Sequence, residues 1–363
     1  MKITKAILTG GGRATRLRPI TTTINKHLIP LANKPMIFHA IEKAVAAGIE
    51  EIFINVNPGE TQLQKYVGDG GHWGVAITFF EQTGGPLGIA HVVKCAEKFI
   101  GSDPFMFFLS DNIIRGGFES FFQQFDEEKL DCLLAFAQVP DPERFGVPVF
   151  SAEGNLMEVM EKPQNPPSRL AQTGIYLYGP KVFFKAFGHI QKSARGEYEI
   201  SDINSYLLRA GFRVGWREVS GWWKDTGKPE DLVLTNKLLL DELASDQANF
   251  KQQGTVMAGA SLVGPVQTGI GATIGQGVKI VGPVMIGENC TLEACTIGPH
   301  VTIGAGSTVR QATIRESLIF SNCTIDSPIT IAGSIVGDQA KVLTNPAAEE
   351  HRLILGDHTL IEL

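Results

Sequence analysis

The sequence predicts two structures in tandem: an α/β domain on a doubly wound, mainly parallel sheet, then a parallel β-helix of hexapeptide repeats. Three observations carry this reading. Short apolar runs alternate with helix-like segments through residues 1–240. From near residue 254, aliphatic residues recur every five or six positions, many followed by glycine. Finally, Gly10-Gly11-Gly12 directly follows the apolar run Ala6-Ile7-Leu8, and ligands of such sheets bind beyond the carboxyl ends of the strands.

In chain order, Ile52-Phe53-Ile54-Asn55-Val56 reads as a buried strand, as do Val75 to Phe80, Phe105 to Leu109, Cys132 to Ala137 and Leu156 to Met160. A helix lies between the first two strands. Pro35 suits its first turn, Ile37, Ala40, Ile41, Ala44 and Val45 form one face, and Gly48 suits its end. The strand–helix–strand order implies parallel pairing with both sheet faces covered. Residues 241–253 read as a connecting helix and linker, within a stretch from Leu238 to Gln253.

Over residues 254–345 the repeated aliphatics are Ile274, Ile280, Ile286, Leu292, Ile297, Ile303, Val309, Ile314, Ile319, Ile325 and Ile331. No helix has a six-residue period, whereas a coil of three short strands does. Residues 346–363, with the run Arg352 to Ile361, read as a hairpin that covers the open end of the solenoid.

Composition bounds the function. The 363 residues are 19% charged and 43% hydrophobic, with net charge −6. That describes a globular protein without a general nucleic-acid surface. No apolar run reaches the roughly 18 residues of a membrane span. The start, Met1-Lys2-Ile3-Thr4-Lys5, lacks the apolar core of a secretory signal. The five cysteines form no Cys-x-x-Cys. Together these features predict a cytoplasmic chain with reduced thiols. Scattered histidines argue against zinc.

The glycine turn presents backbone N–H groups suited to phosphates, and Arg16, Arg18 and Lys26 add positive charge, so a nucleoside triphosphate is expected here. It is no P-loop, because no Gly-Lys-Ser/Thr follows, and it matches the dinucleotide fingerprint poorly. Asp111 ends the apolar run Phe105 to Leu109 and is a candidate Mg²⁺ ligand. Asp225, in Gly221-Trp222-Trp223-Lys224-Asp225-Thr226-Gly227, is a second fixed acid. In Glu161-Lys162-Pro163, lysine suits a phosphate monoester and glutamate accepts from sugar hydroxyls. Gln82 follows a strand and its amide matches a base edge; Gly196 to Asp202 opens a helix; His300 lies on a repeat turn. Each of these, taken singly, also reads as an ordinary turn, cap or surface residue.

In combination the segments resemble the sugar-phosphate nucleotidyltransferases, nearest the long-form glucose-1-phosphate thymidylyltransferases. The resemblance covers essentially the whole chain. It rests on Gly-Gly followed by Thr15-Arg16-Leu17-Arg18-Pro19, Lys26-His27-Leu28-Ile29-Pro30, Asn33-Lys34-Pro35-Met36, Pro86-Leu87-Gly88-Ile89-Ala90-His91 and Asp111-Asn112. Arg144-Phe145-Gly146-Val147, Glu161-Lys162-Pro163 and Gly221 to Gly227 complete it. It implies a Rossmann-like nucleotidyltransferase sheet in residues 1–240 and a left-handed β-helix thereafter. It further implies transfer of a nucleotidyl group, dTTP favoured, to a sugar 1-phosphate, glucose 1-phosphate favoured, with Mg²⁺ as cofactor.

By the same resemblance, Gly10, Gly11 and Gly12 would face the nucleotide, and Gln82 and Gly88 its base. Arg16 would hold the β- and γ-phosphates, and Lys26 would neutralise phosphate charge. Asp111 and Asp225 would ligate the metal. Gly146, Glu161, Lys162 and Gln172 would contact the sugar phosphate, with Tyr176 and Arg195 close by. Homo-oligomerisation through the β-helix is expected, with neither nucleic acid nor membrane as a partner.

The chain departs from the family pattern at three places. Its glycine turn is one residue longer and has Ala14 where glycine is usual; Ser110 replaces a glycine; His27 stands where thymidylyltransferases usually carry glutamine. Four alternatives stand beside the main reading. They are UTP or another hexose 1-phosphate as substrate, an added acetyltransferase activity with His300 as base, an inactive nucleotide-binding assembly protein, and a glycosyltransferase. The last usually carries Asp-x-Asp, whereas Asp111 is followed by Asn112-Ile113.

Overall fold

The computed structural model describes residues 2–12 and 14–344; the expected hairpin within 346–363 lies outside them. The chain forms two compact units, Met1–Arg13 with Ile37–Asp225, and Ala14–Met36 with Thr226–Leu363.

The strands of the first unit are β1 (Lys5–Thr9), β2 (Glu51–Val56), β3 (Ala76–Glu81), β4 (Phe105–Phe108), β5 (Asn112–Ile114) and β6 (Cys132–Gln138). They continue with β7 (Gly146–Phe150), β8 (Leu156–Glu161), β9 (Leu170–Tyr178), β10 (Val214–Glu218) and β11 (Trp223–Asp225). Seven of them make one sheet in the order β10-β6-β9-β4-β1-β2-β3. Only β9 runs antiparallel to its neighbours; the other pairings are parallel. The central strands are apolar throughout because both faces are covered, and Phe105 to Phe108 are all buried. Two small antiparallel ladders, β7 with β8 and β5 with β11, flank the carboxyl ends. The helix Met36–Ala46 buries Ile37, Ala40, Ile41 and Ala44 as its periodicity predicts. It starts one residue after Pro35, which ends a two-residue strand instead. The last predicted helix before the repeats begins earlier than expected, at Pro229, and ends at Ala244.

In the second unit, Ala14–Met36 contains three short 3₁₀ turns and a tight hairpin, Pro30–Leu31 against Lys34–Pro35. From Thr255 onward the chain winds as a parallel β-helix, each coil giving one strand to each of three parallel sheets. The arrangement is consistent with a left-handed solenoid. Ile280 pairs with Ile297 and Ile297 with Ile314; on a second sheet Ile286 pairs with Ile303 and Ile303 with Ile319. Their side chains fill one continuous interior. A solenoid core of this kind is cumulative, since each coil buries its aliphatics against the next.

Candidate active site

The site begins where β1 stops. Gly10 donates its N–H to Asn55 Oδ1 at 3.1 Å, and Gly12 donates to Asn57 Oδ1 at 2.9 Å. Asn57 Nδ2 returns a bond to the Gly12 carbonyl at 3.1 Å. Two asparagines from the end of β2 and just beyond thus fix the glycine turn. Position 10 needs glycine because a Cβ there would lie 2.5 Å from Leu63 Cδ2 and 2.7 Å from the Asn55 carbonyl. Ser110, at the end of β4, donates its N–H to Thr9 Oγ1 at 2.8 Å, which ties the two strand ends together.

This rim borders a cavity of about 320 Å³. Gly11 and Gly12 line it with Gln82 and Gly88, and so do Glu161, Lys162 and Arg195. Seven of the residues singled out in the sequence therefore share one hollow, although Gly11 and Arg195 lie near opposite ends of this unit's sequence. Gln82 Nε2 donates to the Gly88 carbonyl at 3.1 Å and lies 3.2 Å from His91 Nδ1. Gly88 has φ +91°, and a Cβ there would meet the Tyr198 carbonyl at 2.6 Å.

Charge is concentrated on one side of the hollow. Arg195 Nη2 lies 3.1 Å from Glu161, 2.7 Å from Glu199 and 3.8 Å from Glu197. Lys162 Nζ lies 3.2 Å from Glu161, whose second oxygen accepts from Ser201 Oγ. Burial, with the charges of Glu199 and Glu161, raises the Asp202 carboxyl above its ordinary range. Lys162 itself has φ +44°, while its N–H donates to the Phe145 carbonyl at 2.9 Å. A lysine in the left-handed region costs on the order of 1–2 kcal/mol, and such strain clusters at functional sites.

Asp111 and Asp225 come together through the β5–β11 ladder, in which Asp225 is the register partner of Asn112. Buried Asn112 organises this corner. Its Nδ2 donates to Asp111 Oδ1 at 2.9 Å, and its Oδ1 accepts from Trp223 Nε1 at 2.8 Å and from the Gly174 N–H at 3.1 Å. No cluster of three or more metal-ligating side chains occurs among the described residues. Two acids placed by one ladder, one of them a residue before the other's register partner, are a donor set of the kind Mg²⁺ takes, since that hard ion keeps several waters and draws its remaining ligands from phosphate oxygens.

The other predicted residues are not among those lining this hollow, although Gly146 is the register partner of Glu161, which is. Gly146 starts β7 with the Gln172 side chain against it; an added Cβ would lie 2.9 Å from Gln172 Oε1. Gln172 Nε2 is buried with no hydrogen-bond partner among the described residues, a donor that a ligand oxygen would satisfy. Tyr176 is only 3% exposed and stacks on Phe107 at 5.6 Å, so it belongs to the sheet's core. Burial, then the charge of Glu161, pushes its phenol pKa up. Arg16 and Lys26 sit on the first and third 3₁₀ turns of the second unit. Ala14 takes φ +44°, so a methyl stands where a left-handed conformation favours glycine. His300, on a repeat corner, has Nε2 2.7 Å from Asp241 Oδ1, and its Nδ1 is buried without a partner. Neither nitrogen is open to act as a base.

Sequence reasoning missed Asn55, Asn57, Glu197 and Glu199 as site residues. One signal existed: a polar Asn55 inside the apolar run Ile54-Asn55-Val56 is anomalous unless its side chain has a partner.

Comparison with known proteins identifies the family. Residues 5–242 match the family described as nucleotidyl transferase, and residues 280–362 match the GMPPB C-terminal domain. The low-salt glycan biosynthesis nucleotidyltransferase Agl11 of Haloferax volcanii is 36% identical over 99% of this chain and 100% of its own. A glucose-1-phosphate thymidylyltransferase of Streptomyces griseus is 34% identical over 99% of both. A Bacillus anthracis chain described as a glucose-1-phosphate thymidylyltransferase, crystallised with sucrose, superposes with TM-score 0.60 at 37% identity. It covers 64% of this chain and 94% of its own. No described helix is long and apolar enough to cross a membrane. On the strength of the full-length relatives and of the match across residues 5–242, this chain belongs to the nucleotidyl transferase family.

Proposed function

We propose that the protein joins a nucleoside triphosphate to a sugar 1-phosphate, releasing pyrophosphate, with dTTP and glucose 1-phosphate as the favoured pair. The observation that carries this reading is the shared hollow. A glycine turn suited to a nucleotide and a Glu161–Lys162–Arg195 group suited to a sugar phosphate border one cavity of about 320 Å³.

An oxygen of the sugar phosphate attacks the α-phosphorus, and the bond to the β-phosphate oxygen breaks as pyrophosphate departs in line. The nucleophile is already anionic, so positioning and charge neutralisation do the work rather than a strong base. Lys162 holds the sugar phosphate and offsets its repulsion from the triphosphate. Glu161, fixed by Ser201 and Arg195, accepts hydrogen bonds from sugar hydroxyls. Gly146 and Gln172 complete the sugar contacts, the orphaned Gln172 amide donating to an oxygen of the ligand. Gly10, Gly11 and Gly12 present the turn to the triphosphate, with Gln82 and Gly88 toward the base. Arg16 and Lys26 supply cations to the phosphates. Asp111 and Asp225 would hold Mg²⁺, which when bound supplies positive charge to the phosphate oxygens.

Choice of uridine over thymidine is a second reading with an observation behind it. The UTP–glucose-1-phosphate uridylyltransferase AglF of Haloferax volcanii is 34% identical over 66% of this chain and 97% of its own. Pyrophosphate release measured across the nucleoside triphosphates and several sugar phosphates, with and without Mg²⁺, decides between them. Absence of release with every pair refutes the proposal. Association of copies through the repeat domain belongs to the same reading, and light scattering measures it.

A further inference from the structure

The outer surface of the solenoid is unevenly covered. Val263 and Val281, register neighbours pointing outward on one sheet, are 58% and 45% exposed. On another sheet Met285 pairs with Thr302 and Thr302 with Leu318. None of these three belongs to the interior cluster, yet Met285 is 8% exposed, Thr302 2% and Leu318 0%. The polar contacts that frame this covered ridge come from two places. Asp241 and Lys237, on the helix Pro229–Ala244, reach His300 and Glu316 at 2.7 and 2.8 Å. The second source is the hairpin of the 14–36 segment. Asn33 Nδ2 donates to the Met285 carbonyl at 3.2 Å and to the Ile303 carbonyl at 3.0 Å, spanning two successive coils.

The hairpin is shaped for this contact. Its two turn residues, Ala32 and Asn33, have φ +49° and +57°, the twin left-handed pattern of a tight two-residue hairpin. The Ala32 N–H donates to Asn236 Oδ1 at 2.8 Å, so the helix grips the turn beside the residue that grips the solenoid. The same short segment carries Arg16 and Lys26.

We propose that the repeat domain serves as the template that sets the conformation of the Arg16- and Lys26-bearing segment, with Asn33 as the positioning residue that fastens one to the other. This rests on the nucleotidyl-transfer reading for the role of Lys26, but the fastening itself does not. Lys26 lies on a 3₁₀ turn two residues before the hairpin, and the Met36 N–H donates to the Ile29 carbonyl at 3.0 Å, closing the hairpin's base. Turns this short have little stability of their own. The attachment of the hairpin adds to the local cap that Asn25 Oδ1 provides by accepting from the His27 N–H at 2.9 Å.

Two measurements test it on the full-length protein. In the wild type, hydrogen exchange should show amides of residues 26–36 opening together with those of residues 284–303. Exchange at 26–36 that is far faster and independent overturns the proposal. In the second, Asn33→Gly keeps the left-handed turn accessible while deleting both amide bonds. Exchange at 26–36 should quicken, and KM for the nucleoside triphosphate should rise about tenfold. KM for the sugar phosphate and exchange in the solenoid should hold. Faster exchange with an unchanged nucleotide KM would mean a purely structural fastening and overturns the positioning role. A wild type that releases no pyrophosphate refutes the proposed function, while the exchange result still judges the fastening.

Discussion

In the solenoid, a residue's surroundings follow from its place in the coil. Ile280 pairs with Leu262 on one side and Ile297 on the other, and the same holds one coil further along. In the sheet unit, Gly12 is held by Asn57 and shares a hollow with Lys162 and Arg195, partners that no spacing rule connects to it. The repeat half is built from near-identical local contacts, and the sheet half from a few long-range ones. Damage to the first should therefore scale with burial. Damage to the second should depend on chemistry, and can even part stability from activity.

The largest effect is expected in the solenoid, between two adjacent residues of one strand. Ile280 is 1% exposed and Val281 is 45% exposed. Ile280→Ala should lower stability by about 2–5 kcal/mol in urea denaturation, because the cavity it leaves is walled by fixed neighbouring coils. Val281→Ala should fall within about 0.5 kcal/mol of the wild type. Equal losses at the two positions would mean that the coil register does not govern stability, and the contrast drawn above fails.

Lys162 sharpens the other side. Its left-handed backbone is strained, and its N–H bond to Phe145 survives any substitution except proline. Lys162→Gly should raise stability by about 1 kcal/mol through relief of that strain. The same change should cut kcat/KM by a factor on the order of 10²–10³, the usual toll of removing one charged transition-state contact. Its surface pairing with Glu161 contributes little to the balance. Retained turnover sinks the assignment of Lys162; a loss of stability sinks the strain argument.

Much of this was legible in the sequence, for physical reasons that differ by region. The buried strands and the repeats announce themselves because burial imposes a period, and Ile274 through Ile331 keep it. The site motifs were legible as chemistry: Glu161-Lys162 and Asp111 place charged groups at or just beyond strand ends. Their mutual arrangement was not. β9 enters the sheet antiparallel between β4 and β6, a long-range choice that leaves no periodic trace. Asn55 and Asn57 serve the glycine turn through side-chain bonds across strands, and side-chain bonds have no spacing rule. Nor does the grouping of residues 14–36 with the second unit, to which the Asn33 amide and the Ala32 N–H contribute side-chain bonds far apart in sequence.

Ser110 is a smaller test of how tightly the sheet unit is built. It is fully buried, its Oγ has no partner among the described residues, and its N–H is already committed to Thr9. A buried hydroxyl without a partner costs about 1 kcal/mol or more. Ser110→Ala should therefore stabilise the protein by roughly that amount. Destabilisation in a denaturant titration would mean that the hydroxyl has a role at the carboxyl end of β4.

The smallest effect expected concerns His91, and it separates the halves by pH. Its ring stacks on Tyr198 with centroids 5.9 Å apart and lies 3.2 Å from Gln82 Nε2. Burial, then the charge of Lys192, lowers its pKa below the ordinary value of 6.5. The folded state thus favours the neutral ring, and the unfolded chain binds the proton more readily. The contribution is present above pH 6.5 and is lost as pH falls through the lower, folded-state value. Acidification from pH 7.5 to 5 should then lower the wild-type melting temperature by slightly more than that of His91→Gln, which has no proton to take up there. Every other titrating group is common to both proteins, so the difference isolates the imidazole. Parallel melting profiles for the two would mean that the ring is solvated well enough to titrate normally, and that the wall of the hollow between Gln82 and Tyr198 is open to water.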